Sequence, residues 1–264
     1  YGSAIKSMVD VTNTLEMIAG NIYSDSTLTI KSTVSNTARI TPVPASCQVI
    51  GKFLIERYIP ARRSWRLLTS PLYNTNTIYN TWQNQGVYAP GIGMYVTGPN
   101  PTGGMGNGLD SSIRNNPSMY KWNNSTQALE AINNTHVNIS DGIGSSAASY
   151  GSGQMGTQVF NSCRGCNNAG QFFLIGNPYA SPVDFNNFTR TNLVKRFYVW
   201  DPAINSLGGY VMLDDLDGDG IFTKSISSSS QTRDIQSGQA FFIQTQNAGS
   251  STLSVAEANK SGNN

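Results

Sequence analysis

Val49-Ile-Gly-Lys-Phe-Leu-Ile-Glu-Arg-Tyr-Ile59 decides the fold class. The run is rich in branched and aromatic residues, contains a glycine unsuited to a helix interior, and is flanked by Pro44 and Pro60. It reads as a strand or a pair of strands. Outward from it the same period of two recurs, in Leu28-Thr-Ile30 and Ala38-Arg-Ile40 before it and in Ser64-Trp-Arg-Leu-Leu68 after it. Ile92-Gly-Met-Tyr-Val-Thr97 and Ser118-Met-Tyr-Lys-Trp122 continue the pattern. So do Gln171-Phe-Phe-Leu-Ile-Gly176, Phe197-Tyr-Val-Trp200, Tyr210-Val-Met-Leu213, Ser237-Gly-Gln-Ala-Phe-Phe-Ile-Gln244 and Ser251-Thr-Leu-Ser-Val255. Short strands cut by Pro, Gly and Asn predict an all-β chain of sandwich or jelly-roll-like units, with N-terminal β-rungs or hairpins.

Only residues 1–20 have apolar spacing that suits a helix, through Ile5, Met8, Val9, Leu15, Met17 and Ile18; they read as a short helix or a connection from an upstream module. Another short helix or turn is expected over residues 77–86. The expected organisation is a linker with rungs or hairpins over 1–60, a first sandwich-like half over 61–168 and a second over 169–264. Residues 140–158, rich in Gly and Ser, read as an exposed crossover between the halves. A single jelly roll containing both halves is the nearest alternative.

Composition sets the class of function. Of 264 residues, 28 are Asn, 31 Ser and 22 Thr, while charged residues are 12% of the chain, about half the usual share. Polarity therefore comes from amides and hydroxyls, as in an extracellular β-protein. A net charge of +2 argues against a nucleic-acid surface. No apolar run is long enough to span a membrane as a helix. The chain opens on Tyr1 with no signal-peptide pattern, which predicts a processed chain or a piece of a longer polypeptide.

The sharpest chemical signal is Leu213-Asp-Asp-Leu-Asp-Gly-Asp-Gly-Ile-Phe222. Asp215, Asp217 and Asp219 alternate, Gly220 permits a tight turn, and the Ile221 carbonyl is a further oxygen ligand. These match positions 1, 3, 5, 6 and 7 of a calcium loop, with Asp214 a candidate to complete the shell. The closing position holds Ile226 instead of a bidentate Glu, so a structural calcium loop on a β-hairpin is expected in place of a helix–loop–helix. The other reading is an acidic solvated turn.

Aromatic residues concentrate at Trp65, Tyr79, Trp82, Tyr88, Tyr120, Trp122, Tyr179, Tyr198 and Trp200. They fill a core or form a sugar-stacking platform. Trp82 and Tyr88, which bracket Gln83-Asn-Gln-Gly86, are the members expected to be exposed and to bind ligand. Arg57, Arg62, Arg63 and Arg66 form the one basic cluster and are expected to pair with Glu56, Asp184 or Asp201 or to guard a sheet edge. Cys163-Arg-Gly-Cys166 lies in a loop-like stretch without a second ligand pair, which favours a local disulfide or free thiols over a redox or zinc site. His136 lacks a recognisable nucleophile turn and reads as a surface histidine. Glu56 and Asp201 are the sole acid pair with any prospect of meeting across strands, so no enzyme is expected and no catalytic residue is assigned.

Four strings belong together: Glu56-Arg-Tyr-Ile-Pro-Ala-Arg-Arg-Ser-Trp-Arg-Leu-Leu-Thr-Ser-Pro71, Leu174-Ile-Gly-Asn-Pro-Tyr179, Tyr198-Val-Trp-Asp-Pro202 and Ser237-Gly-Gln-Ala-Phe-Phe242. Their combination resembles the uncharacterised β-rich region of large secreted Bacteroidetes proteins exported by the type IX secretion system, usually ahead of a C-terminal sorting domain. The resemblance runs from about residue 28 to residue 253 and departs from the pattern around 140–170. It implies export to the cell surface or medium and no particular reaction. The expected role is a non-catalytic structural or adhesive module, or a filament subunit whose strands over 28–59 pair with a neighbour. The expected partners are neighbouring domains or subunits and polysaccharide. The alternatives are a carbohydrate-binding module and, more remotely, a glycan-active enzyme.

Overall fold

A computed structural model describes residues 2–73, 77–137, 152, 153, 155–161 and 168–262. The fold is all-β, and its N-terminal strands are rungs. In order they are β1 (Gly2–Ile5), β2 (Val9–Val11), β3 (Thr14–Leu15), β4 (Asn21–Ile30), β5 (Arg39–Ile40) and β6 (Gln48–Ile55). β4 is central. β1 and β2 run parallel to its two halves, with Gly2 opposite Asn21 and Val9 opposite Leu28. β6 lies parallel on its other side, and β3 is parallel to β5. Parallel pairing needs a long return path, which the chain makes by turning corners within each rung.

A helix, one of the two expectations for residues 1–20, is therefore absent among the described residues of that stretch. Ile5, Val11 and Leu15 pack toward the core, whereas Met8, Val9 and Ile18 face solvent. The apolar spacing marks successive short rung faces. A brief segment also gains little from the costly first helical turn when a neighbouring rung can take its backbone hydrogen bonds. The quoted 49–59 run contributes one strand, with Gly51 at its bend. Gly51 has φ +94°, and a Cβ there would sit 2.1 Å from the Ser24 carbonyl oxygen. Only glycine fits so close an approach. Leu28, Ile30, Ile40, Val49, Phe53 and Ile55 form the buried heart of this region, closed by Leu72 and Ala180. Because β4 is paired on both sides, it offers no edge to a neighbour; β1 and β2 pair with β4 alone among the described strands.

Residues 77–137 are mostly irregular. Thr77 caps the short helix Ile78–Thr81 by accepting the Asn80 N–H. Tyr120–Asn123 and Ala128–Ala131 form a hairpin. The expected strands over 64–68 and 92–97 do not form ladders. Leu68 makes one isolated bridge to Gln239, and Trp65 N–H donates to the Leu207 carbonyl. Gly91 and Gly93 adopt positive φ, so the Met94 N–H reaches the Trp82 carbonyl and the Val96 N–H the Asp110 carboxylate. Most of the 140–158 crossover, together with Cys163 and Cys166, lies outside the described residues.

The C-terminal region is antiparallel and sandwich-like. Its five-stranded sheet runs in the order Phe172–Gly176, Ala240–Thr245, Leu193–Asp201, Gly209–Asp214, Thr223–Lys224. A three-stranded sheet, Gln158–Asn161, Thr252–Val255 and Thr189–Thr191, supplies the second layer. Alternation along Leu193–Asp201 sends Phe197 and Val199 inward, where they meet Phe185, Phe241, Leu253 and Val255. Tyr198 and Trp200 consequently point to the other face. Gly176 ends its strand where a Cβ would lie 1.8 Å from Thr69 Oγ1, so the 67–69 segment, which runs antiparallel beside residues 238–240, passes this close only because that residue is glycine. Asn177, fully buried, donates to the Ser181 and Ile235 carbonyls and accepts the Tyr179 N–H, fixing the following turn.

Candidate functional site

Among the described residues, an acidic loop and an aromatic cleft are the arrangements that could meet a ligand. The first is the acidic loop. It closes a hairpin between Gly209–Asp214 and Thr223–Lys224, so it is flanked by strands. Asp215, Asp217 and Asp219 place a carboxylate oxygen each within 4.8 Å of one another, Asp215 buried and the other two exposed. Asp215 Oδ2 lies 2.5 Å from Lys195 Nζ and accepts the Gly220 N–H at 3.0 Å. The Lys195 ammonium, aided by that N–H, holds the Asp215 carboxyl below its usual range. Asp215 Oδ1 is buried without a hydrogen bond. Asp219 Oδ1 accepts the Ile221 N–H at 2.7 Å, and the Ile221 side chain is exposed.

Asp214 does not join this group. Adjacent strand residues face opposite ways, and its carboxylate accepts from Arg196 Nε and Nη2 at 3.0 and 2.8 Å and from Thr223 Oγ1 at 2.7 Å. The chemistry of the remaining donors, three hard oxygens around a tight glycine turn, suits calcium. Lys195 already answers one of the three charges.

The second place is a cleft of about 410 Å³ on the outer face of the five-stranded sheet, lined chiefly by Trp65, Trp82, Tyr120, Trp200, Tyr210 and Arg66. Its rings come from separate segments and are braced in pairs. Trp65 meets Tyr120 edge-on at 5.5 Å and 70°, and Trp200 meets Tyr210 at 4.7 Å and 83°. Trp65 and Tyr210 are 44% and 43% exposed, so parts of both rings stay open to a ligand. Desolvation raises the Tyr210 phenol above its usual range. The Trp200 indole N–H is held by the Leu207 carbonyl, the same oxygen that accepts from Ser64 Oγ. Among the described residues no Asp or Glu lines the cleft.

The expected exposed pair is corrected by this geometry. Trp82 is 8% exposed. It falls one turn after Ile78 on the same face of the short helix and packs inward with Val96, Leu109 and Ile132, reaching the cleft only as part of its lining. Tyr88 is half-buried and faces elsewhere. Its hydroxyl donates to Asp110 at 2.6 Å, and Gln83 Nε2 donates to the same carboxylate at 2.9 Å. Desolvation first, and the Asp110 contact second, push the Tyr88 phenol up to about 12. Its ring stacks on exposed Tyr95 at 4.1 Å. Trp82 and Tyr88 thus form no common platform.

Other expectations shift as well. His136 is half-buried, tilted against the Tyr79 ring at 4.6 Å, with Nε2 2.9 Å from the Gly104 carbonyl oxygen. The arginine cluster does not take the expected carboxylates: Glu56 pairs with Lys31 at 2.6 Å, Asp184 with Arg233 at 3.2 Å, and Asp201 accepts the Ser229 hydroxyl and the Ala203 N–H. These contacts also keep Glu56 and Asp201 in separate networks. Among the described residues no helix is long and apolar enough to cross a membrane. No protein-family model matches the chain, and neither does any curated protein or solved structure.

Proposed function

We propose that this chain is a non-catalytic adhesive module of a large exported cell-surface protein, with the aromatic cleft as its contact site for carbohydrate. The cleft carries the reading. Five aromatic rings from distant segments converge on one cavity of about 410 Å³, within the size range of small-ligand sites. Edge-on ring pairs hold the walls in place before a ligand arrives, which lowers the ordering cost of binding. The C–H faces of sugar rings pack on such surfaces, and the open portions of Trp65 and Tyr210 are where they would do so. Export, assignment to type IX secretion and a Bacteroidetes source are supported by the resemblance over residues 56–71, 174–179, 198–202 and 237–242, and by the amide- and hydroxyl-rich composition.

The acidic loop belongs to the same proposal as a structural calcium site held by Asp215, Asp217 and Asp219. Its convergent carboxylates and the unpaired buried Asp215 Oδ1 support it. The ion would fix the hairpin end of the sheet whose outer face bears the cleft. Saturable binding on an array of oligosaccharides tests the main claim. Trp65→Ala should weaken it by about 2 kcal/mol, roughly thirtyfold. No binding to any oligosaccharide, or binding indifferent to Trp65→Ala, would overturn it.

A further inference from the structure

We infer that the cleft selects acidic oligosaccharides, uronate- or sulfate-bearing, whose rings lie on Trp65 and Tyr210 and whose acid groups meet Arg62 and Arg66. This rests on the reading of the cleft as a carbohydrate site and adds the charge of its ligand. Residues 64–68 line one wall, and Arg62, just before them in the chain, is close enough for its charge to act on Arg66. Arg66 lines the cleft directly and donates to the carbonyl oxygens of Pro60, Arg62 and Ser64 at 3.1, 3.4 and 3.2 Å. Arg62 is exposed and donates to the Asn205 carbonyl, which ties it to the turn beside Trp200 and Leu207.

Every one of these partners is neutral. Among the described residues, the ion pairs include neither arginine; the carboxylates of Glu56, Asp184 and Asp214 are taken by Lys31, Arg233 and Arg196. Among the described residues no acid lines the cavity, so the Arg66 charge in its wall and the exposed Arg62 charge beside it face no carboxylate there. Burial, and then the neighbouring Arg62 charge, lower the Arg66 pKa, so the pair is held together against repulsion that an anion would relieve. Guanidinium forks match carboxylate and sulfate oxygens in bidentate geometry. An acidic peptide is the weaker fit. Peptide recognition commonly draws on a free strand edge, whereas this wall presents rings, and its Trp65 N–H is already spent on Leu207.

The test is an array of matched pairs: uronate oligosaccharides beside their methyl esters, and sulfated galactans beside their desulfated forms, with an acidic peptide as competitor. The acid member of at least one pair should bind about tenfold tighter than its neutral counterpart, and the advantage should shrink with added salt. Arg62→Gln, which removes the charge but keeps an amide donor for the Asn205 carbonyl, should remove most of that advantage, with the melting temperature as the check that the turn is kept. Arg66→Lys keeps the charge but loses the fork, and should fall between. Equal binding of acid and neutral members would overturn the charge assignment while leaving the carbohydrate site standing. Binding by no member of any pair would overturn both. An acidic peptide that binds this cleft in preference to every glycan would overturn both as well.

Discussion

The parallel rungs of residues 2–55 and the antiparallel sheets of residues 158–255 hide apolar surface by different rules. In the rungs a side chain stacks on the equivalent side chain of the next turn, and the buried set is aliphatic, with Phe53 its one aromatic member. In the antiparallel region, Phe185, Phe197 and Phe241 interlock with centroids 4.4 to 6.1 Å apart on the inner face. A second aromatic set, Phe172, Tyr198, Trp200, Tyr210 and Phe242, covers the outer face. The hairpin at 120–131 shields part of that outer face, with Trp122 against Phe242 at 4.8 Å and its indole N–H on the Phe172 carbonyl. What it leaves uncovered is the cleft. Aliphatic rungs bury one side of each strand; the sheet carries aromatics on both of its faces, and the outer ones are only partly covered.

Substitution in the two cores sharpens this contrast most strongly. Phe197→Ala empties the centre of the inner aromatic set, where the side chain is fully buried, and should cost about 3–5 kcal/mol. Denaturant unfolding followed by near-ultraviolet circular dichroism should show the loss in the aromatic signal. An aliphatic replacement in the rungs, such as Ile30→Val, should cost about 1 kcal/mol and leave that signal intact.

The junction between the regions comes next. Lys260, from the end of the chain, has a side chain only 1% exposed. Its ammonium reaches Glu257 at 2.6 Å and the Thr41 carbonyl at 3.2 Å, and lies 4.8 Å from the centre of the Tyr179 ring. Glu257 in turn accepts the Val43 N–H. Lys260→Ala strands that carboxylate and should cost about 3 kcal/mol. Lys260→Ala with Glu257→Gln should recover part of it, as judged by the two melting temperatures. If both variants melt like the parent, the two regions are not joined through this pair.

Calcium has a smaller expected effect, confined to the antiparallel region. At about a hundredfold over its dissociation constant, an ion bound only by the folded chain adds roughly 2.7 kcal/mol. Chelation should therefore lower the melting temperature, and Asp217→Ala should remove that sensitivity. Lys195→Met, which frees Asp215 from its ammonium, should increase it. Identical melting curves in calcium and in chelator would leave the loop as a turn held by Lys195.

Sequence patterning reported one side of each strand better than it reported partners. The alternation in Leu193–Asp201 marks inward Phe197 and Val199 and outward Tyr198 and Trp200, because burial follows the pleat. The rungs were harder to read, since their parallel register joins Gly2 to Asn21 and Asn21 to Gln48 through corners that carry no strong local signal. Residues 64–68 and 92–97 have strand-like composition, but their backbone groups find scattered partners, among them Leu207, Ala240, Trp82 and the Asp110 side chain, a choice made by tertiary packing. Asp215, Asp217 and Asp219 were legible from spacing, as ligands of one loop are local. The cleft was not, because its rings are distant in sequence. Its available clue was Trp200 and Tyr210 at outward phases of two neighbouring strands, where a solvated sheet would carry polar residues.

The most direct test follows the four indole N–H resonances of the chain during titration with an oligosaccharide drawn from the array. Trp65, Trp82 and Trp200 line the cleft, whereas Trp122 is held by Phe172 and lies outside it. Saturable shifts are expected at Trp65 and Trp200, a smaller one at buried Trp82, and none at Trp122. Saturable binding that leaves Trp65 and Trp200 unshifted would place the carbohydrate elsewhere and contradict the account.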